Sequence, residues 1–139
     1  MSEANKAIVR RIYHEVFEQG NLAAADEVIA ADVVEHEEFP GMVPGLEGFK
    51  QMVAGMRAAF PDIQVIEYDL IAEGDKVAAR YAMRGTHRGP FMGVDATGKQ
   101  VTVGGNEVMR FAGGKVVEHW GTTDALGLMQ QLGALPPMG

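Results

Sequence analysis

The sequence contains no cysteine among its 139 residues. Disulfide bridges, thiolate metal sites and cysteine nucleophiles are therefore excluded. Basic residues are also few: 12 Lys and Arg stand against 19 Asp and Glu, which gives a formal net charge of -7. Since no basic patch interrupts this balance, we expect neither a nucleic-acid surface nor a surface for anionic membranes.

Long apolar runs are missing as well. The N-terminal stretch MSEANKAIVRR has no apolar segment of the signal-peptide type, and no uninterrupted apolar run is long enough to cross a bilayer. These features predict a cytoplasmic protein. The length and the 47% of hydrophobic residues predict that residues 1–139 form a single domain, with a loose tail over 134–139.

The spacing of the apolar residues changes at Pro61. Before it the spacing is helical, in three runs separated by the QGN turn and by the extended segment DVVEHEE. After it the period becomes two, with hairpin turns at residues 73–75 and 112–114, and DALGLMQQLG closes the chain as a helix. Helices followed by antiparallel strands predict an α+β fold, in which helices cover one face of a curved sheet.

Alternation along the strands assigns side chains to the two faces of this sheet. In residues 101–111 the odd positions are the apolar ones, so Glu107 is expected on the covered face, where an ionised carboxylate needs a partner. The same reasoning along residues 76–87 places Tyr81, Met83 and His87 on the covered face.

His119 is the candidate partner of Glu107. If neither strand carries a bulge and the turn has three residues, Phe111 pairs with Lys115 and Glu107 lies opposite His119. A two-residue turn would place Trp120 there instead. We adopt the three-residue turn because it brings the two titratable groups together.

Each of these polar residues has a structural and a functional interpretation. His119 is either a core histidine bonded to the backbone or a general acid or base tuned by Glu107, and Glu107 can equally pair with an arginine. His87 borders the long loop over residues 88–100, and His36 lies in a segment too short to fix its orientation. Both are either cavity lining or exposed.

Metal and cofactor motifs are not found in the sequence. No two histidines stand four apart on one helix, and no glycine-rich turn opens a helix after a strand. We therefore predict neither a metal site nor a cofactor.

Four segments carry a family resemblance that spans nearly the whole chain. VVEHEEFPGMVPGLEGF, LIAEGDKV, GTHRGPFMG and GKVVEHW, in this order, resemble the SnoaL-like polyketide cyclase (ester cyclase) family of the nuclear-transport-factor-2-like superfamily. The resemblance implies a cone-shaped α+β barrel with a deep pocket between sheet and helices, and a homodimer built through the sheet. It also implies closure of a polyketide ring by an intramolecular aldol reaction without metal or cofactor.

The resemblance also concerns the residues after the last hairpin turn. In the family, an aspartate directly after a His-Trp pair is the acid/base, and the histidine lines the pocket. His119 and Trp120 match the pair, but Gly121 stands in the place of the aspartate. The superfamily also includes isomerases, dehydratases, epoxide hydrolases and non-catalytic binders.

The first functional hypothesis is therefore a cofactor-independent lyase, isomerase or cyclase that acts on a hydrophobic carbonyl compound. His119 would be the acid or base, Glu107 would orient it, and His36 and His87 would bond an enolate oxygen. The substrate-binding residues would be Tyr13, Tyr81, Met83, Phe91, Met109 and Trp120.

Two alternatives stay open. The missing aspartate at Gly121 favours a module that binds an apolar ligand without changing it. A hydrolase of the limonene-epoxide type would need a carboxylate pair bridged by an arginine, and Arg80 is expected on the open face of the sheet.

Overall fold

A computed structural model describes residues 2–37 and 41–135 of the protein. The helical elements are α1 (Ser2–Arg11), a π-helical segment (Ile12–Glu18), α2 (Leu22–Val28), α3 (Gly45–Ala59) and α4 (Ala125–Gln131). The strands are β1 (Ile29–Glu35), β2 (Gln64–Glu73), β3 (Lys76–Thr86), β4 (Gln100–Ala112) and β5 (Lys115–Thr123). The α+β fold with a curved sheet is confirmed.

Side-chain caps fix where the two shortest α-helices begin. The Asn21 side chain accepts a hydrogen bond from the backbone N–H of Ala24 at 3.3 Å, and the Asp124 side chain accepts one from the N–H of Gly127 at 2.8 Å. Each bond satisfies a donor that the first helical turn leaves free. No helix in the described ranges is both long and apolar enough to cross a membrane.

The five strands form one sheet in the order β1-β5-β4-β3-β2. Strands β2 to β5 pair antiparallel, as the sequence predicts, but β1 pairs parallel with β5 at the edge. A parallel pair needs a long connection, which α3 and the three intervening strands provide. The parallel edge places the end of β1 beside the second half of β5.

The predicted alternation along β3 and β4 is confirmed. Inward-facing positions of β4 are buried from Val101 to Phe111, Glu107 included, while the alternate positions are more exposed. The inner face packs against α1, the π-helical segment and α3, and the core lies between these layers. The side chain of Val53 in α3 is completely buried there.

The turn between β4 and β5 differs from the prediction. Ala112 pairs with Lys115, so the turn consists of two residues, Gly113 and Gly114. Both have positive φ, of 60° and 78°, a conformation that glycine adopts without steric cost and that suits a two-residue hairpin. The three-residue turn, and with it the pairing of Glu107 directly opposite His119, is wrong.

A β-bulge in β5 nevertheless turns His119 to the inner face. Phe111 pairs with Val116, and the next residue of β4, Arg110, pairs with Glu118, so that Val117 is an extra residue. Beyond the bulge, His119 lies opposite Met109. It is therefore a diagonal neighbour of Glu107 on the same face.

The tail predicted over 134–139 falls mostly outside the described residues. Ala134 and Leu135 are described and exposed, and residues 136–139 are not described.

Candidate active site

A cavity with a volume of about 770 Å³ lies between the inner face of the sheet and α3. Its walls are mainly apolar, and six methionines contribute to them: Met42, Met52, Met56, Met83, Met92 and Met109. Unbranched thioether side chains adapt to ligands of irregular shape. One part of the wall is different, because three carboxylates and a histidine converge there.

His119 is held between two of these carboxylates. Its Nδ1 lies 2.6 Å from Oε1 of Glu35, and its Nε2 lies 3.1 Å from Oε1 of Glu107. The hydroxyl of Tyr13, which projects from the π-helical segment, donates to Oε2 of Glu107 at 2.8 Å. The side chain of Glu107 is only 7% exposed, so these bonds supply the partners that a buried carboxylate requires.

The two carboxylates determine the charge of the ring. Burial alone lowers the pKa of His119, but the hydrogen bonds to Glu107 and Glu35 outweigh burial and raise the pKa to about 10. At neutral pH the ring is therefore an imidazolium, and both N–H groups donate to carboxylates. Burial, together with the charge of Glu107, also raises the pKa values of Tyr13 and Tyr81, so both phenols stay neutral donors.

The third carboxylate belongs to Glu37, two residues beyond Glu35. Its Oε2 accepts a hydrogen bond from the Thr123 hydroxyl at 2.9 Å, and its backbone N–H donates to Oε1 of Glu35 at 2.8 Å. Glu37 is half-buried, and it lines the cavity together with Glu35, Glu107 and His119.

His36 and Trp120 lie on the opposite, outer face of the sheet, which contradicts their expected place in the pocket. Their rings stack with centroids 5.1 Å apart and an angle of 6° between the planes. Nε2 of His36 lies 2.7 Å from Oε2 of Glu118, whose other oxygen accepts a hydrogen bond from Arg110. The reason is alternation: His36 follows the inward Glu35, and Trp120 follows the inward His119.

His87 is fully buried, yet it does not belong to the cavity wall. Its Nδ1 accepts the backbone N–H of Thr97 at 3.2 Å, so the ring proton resides on Nε2. Within the described residues Nε2 has no partner, and the ring packs against Phe60 with centroids 5.4 Å apart. The expected contact of His87 with an enolate oxygen is therefore not supported, and the ring fastens the loop that follows β3.

The expected substrate-binding residues divide into two groups. Tyr81, Met83, Phe91 and Met109 lie on the cavity wall, where their role in binding stays a prediction. Tyr13 does not line the cavity: it is 1% exposed and acts on the site through Glu107.

Sequence reasoning missed Glu35 and Glu37, although the sequence carried a signal for both. The three residues Glu35, His36 and Glu37 are consecutive in an extended segment, so the two glutamates share a face and the histidine takes the other.

The structure also bears on metal binding and on the hydrolase hypothesis. Within residues 2–37 and 41–135 no group of three potential ligands is arranged to hold a metal ion. Arg80 lies on the outer face and pairs with Asp69 at 2.9 Å, so it does not bridge the carboxylates of the cavity.

Comparison with known proteins assigns this chain to a family. Aklanonic acid methyl ester cyclase DnrD of Streptomyces peucetius is 33% identical over 92 residues, which are 64% of this chain and 62% of that protein, just under two thirds of its length. Nogalonic acid methyl ester cyclase of Streptomyces nogalater is 30% identical over 84% of this chain and 89% of that protein.

Solved structures agree with these sequence matches. The structure of TsrD from Streptomyces laurentii superposes with a TM-score of 0.88 at 26% identity, covering 96% of this chain and 97% of that chain. The family model for the SnoaL-like polyketide cyclases matches residues 7–132. The chain therefore belongs to the SnoaL-like polyketide cyclase family.

Proposed function

We propose that the protein is a cofactor-independent cyclase that closes a ring in a hydrophobic polyketide by an intramolecular aldol reaction. One observation carries the proposal: a buried imidazolium, clamped by two carboxylates, forms the polar part of an otherwise apolar cavity. Membership of the family supports it, as do the names of relatives that act on aklanonic and nogalonic acid methyl esters.

The site offers the groups that such a reaction needs. An aldol closure requires a base for a carbon-bound proton and positive or donor groups for the enolate oxygen. Carboxylates of the cluster supply the base. The fixed positive charge of His119 and the neutral hydroxyl of Tyr81, which lies on the same wall, stabilise the oxygen. The mainly apolar walls lower the local dielectric constant and so strengthen these interactions.

Both N–H groups of His119 already donate to carboxylates, which defines its role more narrowly than the sequence does. The ring is not a free base at neutral pH, because its pKa is raised to about 10. We therefore assign His119 as the permanent cation of the site, with Glu35 and Glu107 as the groups that hold it in place.

The test is turnover of aklanonic and nogalonic acid methyl esters, followed by chromatography and NMR because a cyclised product has the mass of its substrate. We expect ring closure by the wild type and a loss of about 10²–10³-fold in kcat for His119→Gln, since one preorganised charge is removed. Glu47→Gln, on the exposed side of α3, is the matched control and should keep full activity. If both esters bind and are recovered unchanged, the protein is a binding module instead.

We also propose that the protein is a single cytoplasmic domain that forms a homodimer through the outer face of its sheet. Ile71 is 66% exposed and Tyr68 48% exposed on this face. A depression of about 630 Å³ beside them is lined by Trp120 and Val108. Exposed apolar groups that cluster in this way are typical of an interface.

A further inference from the structure

We propose that Glu37 is the catalytic base of the site, and that its carboxylate occupies the space that a side chain at position 121 would fill. This inference rests on the proposed cyclase function, which needs a carboxylate to remove a carbon-bound proton. It assigns the role of the base to a residue that follows the end of β1, and not to a residue of β5, the strand that carries His119.

The other two carboxylates of the cavity are already engaged. Both oxygens of Glu107 accept hydrogen bonds, Oε1 from His119 and Oε2 from Tyr13. Both hydrogen bonds of Glu35 fall on its Oε1, from His119 and from the backbone N–H of Glu37. Its Oε2 accepts none within residues 2–37 and 41–135, but the carboxylate is held in an ion pair with the imidazolium at 2.6 Å. Each of these carboxylates therefore serves to hold the imidazolium of His119 in place.

Glu37 is held differently. Its Oε2 accepts one neutral bond, from the Thr123 hydroxyl, which fixes the orientation of the carboxylate. Its Oε1 has no hydrogen-bond partner within residues 2–37 and 41–135, and the residue lines the cavity. One oxygen is thus anchored while the other stays available to a substrate.

The absence of a side chain at Gly121 allows the carboxylate of Glu37 to lie beside His119. A Cβ atom at position 121 would lie 2.6 Å from Oε1 of Glu37 and 2.9 Å from Cε1 of His119, both far too close for real atoms. The missing side chain on β5 therefore leaves room for a carboxylate from another part of the chain. That carboxylate stands beside the imidazolium, where the enolate and its oxygen would form.

The reaction balances with Glu37 as the only group that moves a proton. Its carboxylate takes the proton from the carbon next to the ester and ketone carbonyls, and the C–H electron pair becomes the enolate. The enolate carbon bonds to the second carbonyl carbon of the same molecule, whose π electron pair moves to its oxygen. The carboxylic acid of Glu37 then returns the proton to this oxygen, giving a hydroxyl and a free carboxylate.

Proton abstraction can be measured apart from ring closure. The probe is the methyl ester of an aryl β-keto acid, which has the acidic carbon but no further carbonyl to attack, and the readout is deuterium uptake at that carbon in D₂O. We expect Glu37→Gln, an isosteric change, to lower both this exchange and the kcat of cyclisation by about 10²–10⁴-fold. Glu47→Gln should leave both at wild-type values.

A relocated carboxylate gives the second test. Gly121→Asp alone should lose activity because its Cβ would push the Glu37 carboxylate out of its position. In the double variant Glu37→Ala/Gly121→Asp that carboxylate is gone, the ring of His119 has to shift slightly, and exchange should exceed that of Glu37→Ala. If the double variant is no faster than Glu37→Ala, the assignment of this space to the reacting carboxylate is overturned.

These measurements separate the two proposals. A wild type that closes the ring, together with a Glu37→Gln variant that is equally fast and melts at the same temperature, overturns the role of Glu37 and leaves the cyclase function intact. Exchange that depends on Glu37 without any ring closure overturns the cyclase function and supports Glu37 as the base. A wild type that catalyses neither process overturns both.

Discussion

At the scale of single residues, the decisive feature is the ionisation of His119. Two carboxylates within 3.1 Å keep the ring charged although it is mostly buried. A histidine held between two carboxylates couples the chemistry of the site to the stability of the fold. The carboxylates of Glu35 and Glu107 belong to β1 and β4, whereas His119 belongs to β5. The two hydrogen bonds of the protonated ring thus link β5 to β1 and to β4.

This coupling predicts how stability depends on pH. The pKa of His119 is raised from 6.5 to about 10 in the folded protein, so its contribution is fully present below about pH 6.5. The contribution declines as the pH rises and is lost once the pH passes about 10. Urea unfolding across this range should show a fall in the free energy of unfolding for the wild type, and a smaller fall for His119→Gln. Parallel curves for the two proteins would contradict the raised pKa.

At the scale of secondary-structure elements, some of the site was predictable and some was not. Alternation correctly placed Glu107 on the inner face because β4 is regular from end to end. It could not reveal the bulge at Val117, because an extra residue leaves no mark in the apolar pattern of a short strand. The contact between His119 and Glu107 was predicted correctly, but from a wrong register.

The turn itself was readable from the sequence. Gly113 and Gly114 favour a two-residue hairpin, and the structure has one. A three-residue turn would place Glu107 directly opposite His119, but it disregards the preference of two consecutive glycines for a two-residue turn. The place of Glu37 beside Gly121 was not predicted, because the two residues lie far apart in the sequence and strand alternation does not relate them.

Two glycines of α3 should respond in opposite ways to the same substitution. A Cβ at Gly55 would meet nothing within 4 Å, so Gly55→Ala should stabilise the protein by about 1 kcal/mol through helix propensity. A Cβ at Gly48 would fall on the carbonyl oxygen of Val43, so Gly48→Ala should destabilise it by about 1–3 kcal/mol. Urea unfolding of both variants measures the difference. A stabilised Gly48→Ala would show that residues 41–44 do not pack on α3 as described.

At the scale of the whole molecule, the two faces of the sheet have separate tasks. The inner face, with the helices, encloses the cavity, while the outer face exposes apolar side chains between charged pairs such as Arg80 and Asp69. The family resemblance predicted the fold as a whole more successfully than strand patterns predicted the site, because segment order is less sensitive to single-residue shifts.

The proposed homodimer gives a prediction at this scale. Sedimentation equilibrium should yield a mass twice the 14.9 kDa of one chain, and Ile71→Asp should shift the protein towards the monomer because it buries a charge in the interface. Leu126→Asp is the matched control, since Leu126 is also exposed but belongs to α4. A wild type that sediments as a monomer, or equal dissociation of both variants, would contradict an interface on the outer face.

The extra residue at Val117 has a consequence for reading related sequences. Before it, an even-numbered residue of β5, Val116, faces the interior; after it, the odd-numbered residues His119 and Gly121 do. The letters EHWG therefore have no fixed orientation of their own. An insertion or deletion of one residue between the glycine turn and Glu118 would exchange the side chains that face solvent with those that face the cavity. His119 would then point outward and Trp120 into the cavity. Counting residues from the turn is as informative as matching the motif.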